Sequence, residues 1–177
     1  MKHCVLQDSC FLVATLDPTD LFHKEAVYVF NKLLENRKDI KIVVPSLVFY
    51  ETIVTLIKKG GMSPDAIEKK LWNFLYSPLV LNIAMLETSA FKICRRLKDK
   101  NLSLLKTQDL MIVNIAMDYE AQILTFDKLM RKRVKAVYSD IYYCSSRGDM
   151  ENETGDFLKD FNKKIGKTEI NIDEILF

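Results

Sequence analysis

Thr107-Gln-Asp-Leu-Met-Ile-Val-Asn-Ile-Ala-Met-Asp-Tyr-Glu-Ala-Gln-Ile-Leu-Thr-Phe-Asp-Lys128 reads as a helix, a short turn, a buried strand and an acid just past the strand end. Leu110, Ile112, Val113, Ile115, Ala116 and Met117 make the helix almost wholly apolar. Ala121 to Leu124 is a short apolar strand. Asp109 falls in the first turn of the helix and Asp127 beyond the carboxyl end of the strand. In open parallel α/β sheets, ligand sites form at that end of the strands. One unit of the chain therefore delivers two acids toward one place.

Working outward, the same alternation recurs. Cys4–Gln7 reads as a first strand, followed by Asp8-Ser9 and a short helix from Phe11 that stops before Asp17-Pro18. Asp20 suits the cap of a helix from Leu21 to Asn36, with Ala26, Val27, Phe30, Leu33 and Leu34 on one face. Ile42–Val44 is a second strand ended by Pro45. Ser46 then caps a helix over Leu47–Lys59, which Gly60-Gly61 stops. Ser63-Pro64 has the cap and first-turn signature of a helix running to Tyr76. Leu79–Ile83 reads as a third strand, Leu86–Lys100 as a helix with a basic carboxyl end, and Ala136–Tyr138 as a last strand. Strands alternating with helices imply an α/β fold. The expected form is three-layered, a mostly parallel sheet of about five short strands with helices on both faces.

At 177 residues, 49% apolar and 28% charged, the chain has the composition of one ordinary globular domain. Its net charge of +2 is unevenly spread. Residues 145–177 carry five Lys and Arg against eight Asp and Glu, a net −3, which leaves +5 on residues 1–144. We expect a domain over 1–144, a polar linker over 145–156 and an appended helix or strand over 157–177, the whole of 145–177 forming an acidic extension. The basic body fits a polyanionic partner. Met1-Lys2-His3 leads straight into the first strand without a leader, and no apolar run approaches the ~20 residues of a membrane span. Cys4, Cys10, Cys94 and Cys144 are too far apart for a CxxC motif and read as reduced, small core residues. The expected location is the cytoplasm, with no membrane association.

With two histidines, no HExxH and no glycine-rich phosphate loop, any chemistry falls to carboxylates. Four acids have apolar neighbours. Asp8 lies between Val5-Leu6 and Phe11-Leu12-Val13, and Glu51 is the one charge in Leu47–Ile57. Asp109 opens an apolar helix and Asp127 closes an apolar strand. A buried carboxylate is costly without a partner. Each acid also has a plainer explanation. Asp8 and Asp127 suit helix caps, Asp109 complements a helix dipole, and Glu51 fits half of a tertiary salt bridge. Together they form an oxygen-only set suited to Mg²⁺ or Mn²⁺, and two such ions about 3.5–4 Å apart hydrolyse phosphodiesters in line.

Val5-Leu6-Gln7-Asp8-Ser9 with Asp17-Pro18, His23 and Ala26, Val44-Pro45-Ser46 with Glu51, Gln108-Asp109 with Ala116, and Thr125-Phe126-Asp127 resemble the PIN-domain nucleases. The toxin-type, VapC-like ribonucleases look most similar. The resemblance runs over about residues 4–140. It implies a parallel sheet with surrounding helices, a Mg²⁺- or Mn²⁺-dependent endoribonuclease, RNA as substrate, frequent homodimers and, for a toxin, an antitoxin protein covering the acidic site. Asp8, Glu51, Asp109 and Asp127 match the family's acidic quartet as metal ligands and catalytic groups. Ser9 and Thr125 match the hydroxyl residues that orient it. Two departures stand out. Arg131 occupies the region where many relatives carry a further Asp or Asn, and the tail beyond Tyr143 is longer than toxin-type members need. The resemblance also admits a nuclease that trims tRNA or rRNA precursors, or a non-catalytic module that binds RNA. Lys128, Arg131, Lys132, Arg133 and Lys135, directly after Asp127, read either as a phosphate rail for RNA or as a solvated helix face. Lys106, near Asp109, is a further candidate for the rail.

Overall fold

The computed structural model describes residues 2–36, 38–83, 93, 96, 102, 105–146 and 151–166. Five strands, β1 (His3–Gln7), β2 (Ile40–Pro45), β3 (Val80–Ile83), β4 (Gln122–Thr125) and β5 (Ile141–Tyr143), form one sheet in the order β3-β2-β1-β4-β5. Every pairing is parallel. Seven helices are described: α1 (Ser9–Leu16), α2 (His23–Glu35), α3 (Ser46–Lys59), α4 (Pro64–Leu75), α5 (Thr107–Tyr119), α6 (Lys128–Lys135) and α7 (Thr154–Lys164). The fold is α/β. None of the described helices is long and apolar enough to cross a membrane.

The strands read as near-continuous apolar runs because both faces of the sheet are covered. Val5, Leu6, Ile42, Val43, Val44, Ile123 and Leu124 are fully buried. The order of strands fixes where a site can form. From β1 the chain crosses to β2 on one side, whereas from β4 it crosses to β5 on the other. Right-handed crossovers then place α1 to α4 on one face and α6 on the opposite face. The crevice between the carboxyl ends of β1 and β4 is the switch point of the sheet. Leu6 pairs with Ile123 and Gln7 with Leu124, so Asp8 and Thr125 emerge side by side.

Local signals explain most boundaries. Ser63 accepts from the Ala66 N–H with Pro64 in the first turn of α4, and Gly60 ends α3 with φ of 68°. Two differ from expectation. Asp20 accepts from Phe22 N at 2.9 Å, and α2 begins only at His23, so the acid shapes the entry turn and does not cap the helix. The last strand is Ile141–Tyr143 and not Ala136–Tyr138. The basic run from Lys128 forms α6, capped by Asp127 and burying only Met130 and Val134, and this helix consumes the chain up to Lys135. The helix expected over Leu86–Lys100 lies almost wholly outside the described residues. So do residues 147–150 of the expected linker and 167–177 of the tail. Phe157, Leu158 and Phe161 of α7 are buried in the same core as β1 and β4. A polar chain ties this helix to the sheet. His3 Nε2 bonds Gln122 Oε1, Gln122 Nε2 donates to the Tyr142 hydroxyl, and that hydroxyl donates to Asp160.

Candidate functional site

Asp8 follows β1 as the N-cap of α1, where its Oδ1 accepts from Phe11 N at 2.9 Å. The capping role expected of a structural acid is real, but it uses only part of the carboxylate. Thr125 Oγ1 donates to Oδ2 at 2.5 Å, and the Cys10 thiol lies 2.9 Å from Oδ1 and 3.2 Å from Oδ2. Both supports are themselves held by the turn after β4. Phe126 N–H donates to Cys10 Sγ at 3.1 Å and Asp127 N–H to Thr125 Oγ1 at 2.8 Å. Phe126 is stacked between Phe11 and Phe22, with ring centroids 4.9 and 4.8 Å away and planes within 8° of parallel. This aromatic stack fixes the turn that carries Asp127 beside the end of β1.

Asp127 caps α6, accepting from Leu129 N at 2.7 Å and Met130 N at 2.9 Å, and is exposed. Asp109 lies in the first turn of α5 and is 7% exposed, with Arg133 Nε donating to its Oδ2 at 2.8 Å. Glu51, on α3, accepts from the Gln108 side chain. All four acids line one open cleft together with Ser9, Cys10, Tyr50 and Gln108. Ser9 is the first residue of α1 and stands beside Asp8.

Burial pushes the Asp8 carboxyl up to about 6. The hydrogen bonds from Cys10, Thr125 and Phe11 pull it back, and the charge of Asp127 adds to the rise. Burial, then the neighbouring Asp8, also drive the Cys10 thiol well above its ordinary range. Cys10 is therefore a neutral donor to Asp8, not a nucleophile.

The oxygen-only donor set fits a hard divalent cation. Each carboxylate is currently bound to an internal partner, and among the described residues no three His, Cys, Asp or Glu side chains converge to ligating distance. A cation would compete with Gln108 for Glu51 and with Arg133 for Asp109.

The basic residues separate. Arg131 donates through Nε and Nη2 to Glu153, and Lys135 bonds the Ser139 carbonyl and lies over the Tyr142 ring. Both face the edge of the sheet. Arg133 pairs with the cleft residue Asp109, while Lys106, Lys128 and Lys132 are exposed. Cys10, Gln108 and the Arg133–Asp109 pair were not apparent as site features. Only the position of Cys10, two residues after Asp8 in the same helical turn, hints at its contact.

A family model described as the PIN domain matches residues 5–136. The chain belongs to the PIN-domain family. A comparison with curated protein sequences gives no significant match. Among solved structures, the PIN chain is similar to VapC20 of Mycobacterium tuberculosis, described as a toxin that cleaves the sarcin-ricin loop. They share 16% identity with a TM-score of 0.53, over 72% of this chain and 93% of that one. It is also similar to VapBC2 of Rickettsia felis, solved bound to a DNA fragment from its promoter. There the identity is 17% and the TM-score 0.54, over 73% of this chain and 92% of that one. At these identities the likeness is one of fold.

Proposed function

We propose that this PIN domain is a Mg²⁺- or Mn²⁺-dependent endoribonuclease, the toxin of a type II toxin–antitoxin pair. The observation that carries the reading is that Asp8, Glu51, Asp109 and Asp127, brought from four separate segments, line one cleft at the switch point of the sheet. Structural acids alone have no reason to gather there. Family membership and the fold shared with VapC-type proteins support the same reading.

In this reading the four carboxylates hold the cation, with Asp8 as the anchoring ligand. Thr125 and Cys10 keep Asp8 aligned with its oxygens toward the cleft. A bound divalent cation supplies Lewis acidity and neutralises charge building on the phosphodiester. Lys106, Lys128 and Lys132 line up RNA phosphates through exposed ammonium groups. Water attack at phosphorus leaves 5′-phosphate and 3′-hydroxyl ends. An antitoxin protein covers the cleft until released, and the toxin acts as a homodimer in the cytoplasm. Residues 145–177 form an extension to a nuclease domain over 1–144.

The test uses Mn²⁺ titration by calorimetry beside cleavage of a fluorescent single-stranded RNA. Wild type binds and cleaves, whereas Asp8→Asn and Asp109→Asn melt cooperatively but lose cleavage. Cleavage retained by either purified variant removes the assignment. Growth arrest on induced expression, absent in Asp8→Asn, separates a toxin from a nuclease that trims RNA precursors.

A further inference from the structure

Arg133 is paired with one of the four acids. Its Nε donates to Asp109 Oδ2 at 2.8 Å, with the side chains 28% and 10% exposed. Asp109 is thus neutralised from inside the chain. The neighbouring Arg131 shows how a purely structural arginine is held on the same helix. It engages Glu153 through two nitrogens, with side chains 12% and 17% exposed. Arg133 is held through Nε and is more than twice as exposed, and its partner Asp109 lines a cleft with three further acids.

A divalent cation in this cleft needs Asp109 and repels the guanidinium that now occupies it. The guanidinium then has one favourable destination. A planar, permanently charged fork at the mouth of a site for a polyanion pairs with a phosphate, by two parallel hydrogen bonds where geometry allows. We propose that Arg133 is a two-position residue, a counter-ion to Asp109 in the cation-free protein and a phosphate ligand for RNA once a cation has displaced it. The inference rests on the metallonuclease reading above and deepens it. It makes Arg133 a substrate-binding residue whose RNA contact exists only in the loaded state. Cation and RNA then bind with positive coupling, each raising the affinity for the other by the same factor.

The experiment measures two affinities on the full chain, for wild type, Arg133→Gln and Arg133→Lys, after thermal melts confirm folding. Mn²⁺ is titrated by calorimetry without RNA. A fluorescent single-stranded RNA is titrated by anisotropy in EDTA and again in Ca²⁺, with intact RNA verified on the same samples. Arg133→Gln is expected to bind Mn²⁺ about fivefold tighter than wild type, having no internal competitor. Its RNA affinity should match wild type in EDTA and fall about fivefold in Ca²⁺. Arg133→Lys, which keeps the charge, should retain most of the coupling. An arginine that is only part of a fixed phosphate rail would weaken RNA binding equally in EDTA and Ca²⁺, and that result overturns the proposal. So does Mn²⁺ affinity unchanged or weakened in Arg133→Gln while wild type binds Mn²⁺, an outcome that leaves the metallonuclease reading standing. Absence of Mn²⁺ binding in every variant removes both.

Discussion

Arg131 and Arg133 stand two residues apart on α6 and so point about 200° apart around the helix. They serve two regions with different electrostatic design. Along the β5 edge, charges are consumed. Arg131 grips Glu153, whose carboxylate also accepts from Tyr143 N at 2.8 Å. Burial alone would raise that carboxyl, but Arg131 and the Tyr143 N–H outweigh it and hold it below its ordinary value. In the cleft, charges are held in reserve. Asp127 is exposed, Glu51 accepts from the Gln108 amide, and Asp8 is buried with its carboxyl near 6. One region has spent its charges on stability, and the other holds acids that gain most from an added cation.

The sharpest way to break the cleft is to remove what builds its floor. Phe126→Ala deletes the middle ring of a three-ring stack and should cost about 3–5 kcal/mol in denaturant unfolding, with cleavage lost alongside as Asp127 loses its anchor. A loss below about 1 kcal/mol would mean that the stack does not hold the turn.

Next in size is the pH dependence of the cation-free protein. The folded Asp8 carboxyl sits near 6 against an ordinary 3.8, so the folded state keeps a proton that the unfolded chain has released. Its contribution therefore falls as pH rises from about 4 to 6 and is flat above that. The loss is about 3 kcal/mol, from about two units at 1.36 kcal/mol each. In EDTA, Asp8→Asn should be more stable than wild type at pH 7.5, and the two curves should converge near pH 4. Parallel melting curves across that range would show that Asp8 carries no such cost.

The edge region supplies the matched control. Glu153→Gln leaves Arg131 half-buried without its charge partner and should cost about 1.5–3 kcal/mol by chemical denaturation. Cleavage at saturating Mn²⁺ should stay near wild type, because Glu153 belongs to the edge. A collapse of the rate with the fold intact would show that the two regions are coupled through α6. The smallest effect belongs to Lys132→Ala. An exposed ammonium on an RNA phosphate should weaken binding about threefold and lower the salt slope by ~0.7. No change in slope would take Lys132 off the RNA path.

The two regions were also unequally legible in the sequence. The cleft's backbone was readable because it follows from local signals: apolar strands, two of them followed by Asp8 and Asp127, and helices whose caps are written in Ser63-Pro64 and Gly60. Asp8 and Asp127 cap their helices and also line the cleft, so the plain explanation is compatible with the functional one proposed above. The edge was harder. A strand expected at Ala136–Tyr138 proved to be the end of α6 and its turn, because a helix with five charges in eight residues buries only Met130 and Val134 and offers few apolar positions to read. α7 looked like part of a polar extension, yet Phe157, Leu158 and Phe161 supply a full apolar stripe that reaches the main core. Pairings such as Arg133 with Asp109 and Cys10 with Asp8 have no sequence signature. They arise from helices and turns meeting in space.

The central strand is made first and receives its second neighbour last. β1 is complete by Gln7, but its partner β4 begins at Gln122. At ribosomal rates of about 5–20 residues per second, the two walls of the cleft are born at least ~6 s apart. During that interval Asp8 has neither Thr125 nor Asp127 beside it, and the open edge of β1 awaits a strand not yet synthesised. A chain that stalls, or is clipped, before residue 127 lacks Asp127 and the turn that holds Asp8 from across the cleft. Products that end before Asp127 therefore lack the assembled cleft, and whatever the site does begins only after β4 and the turn behind it exist.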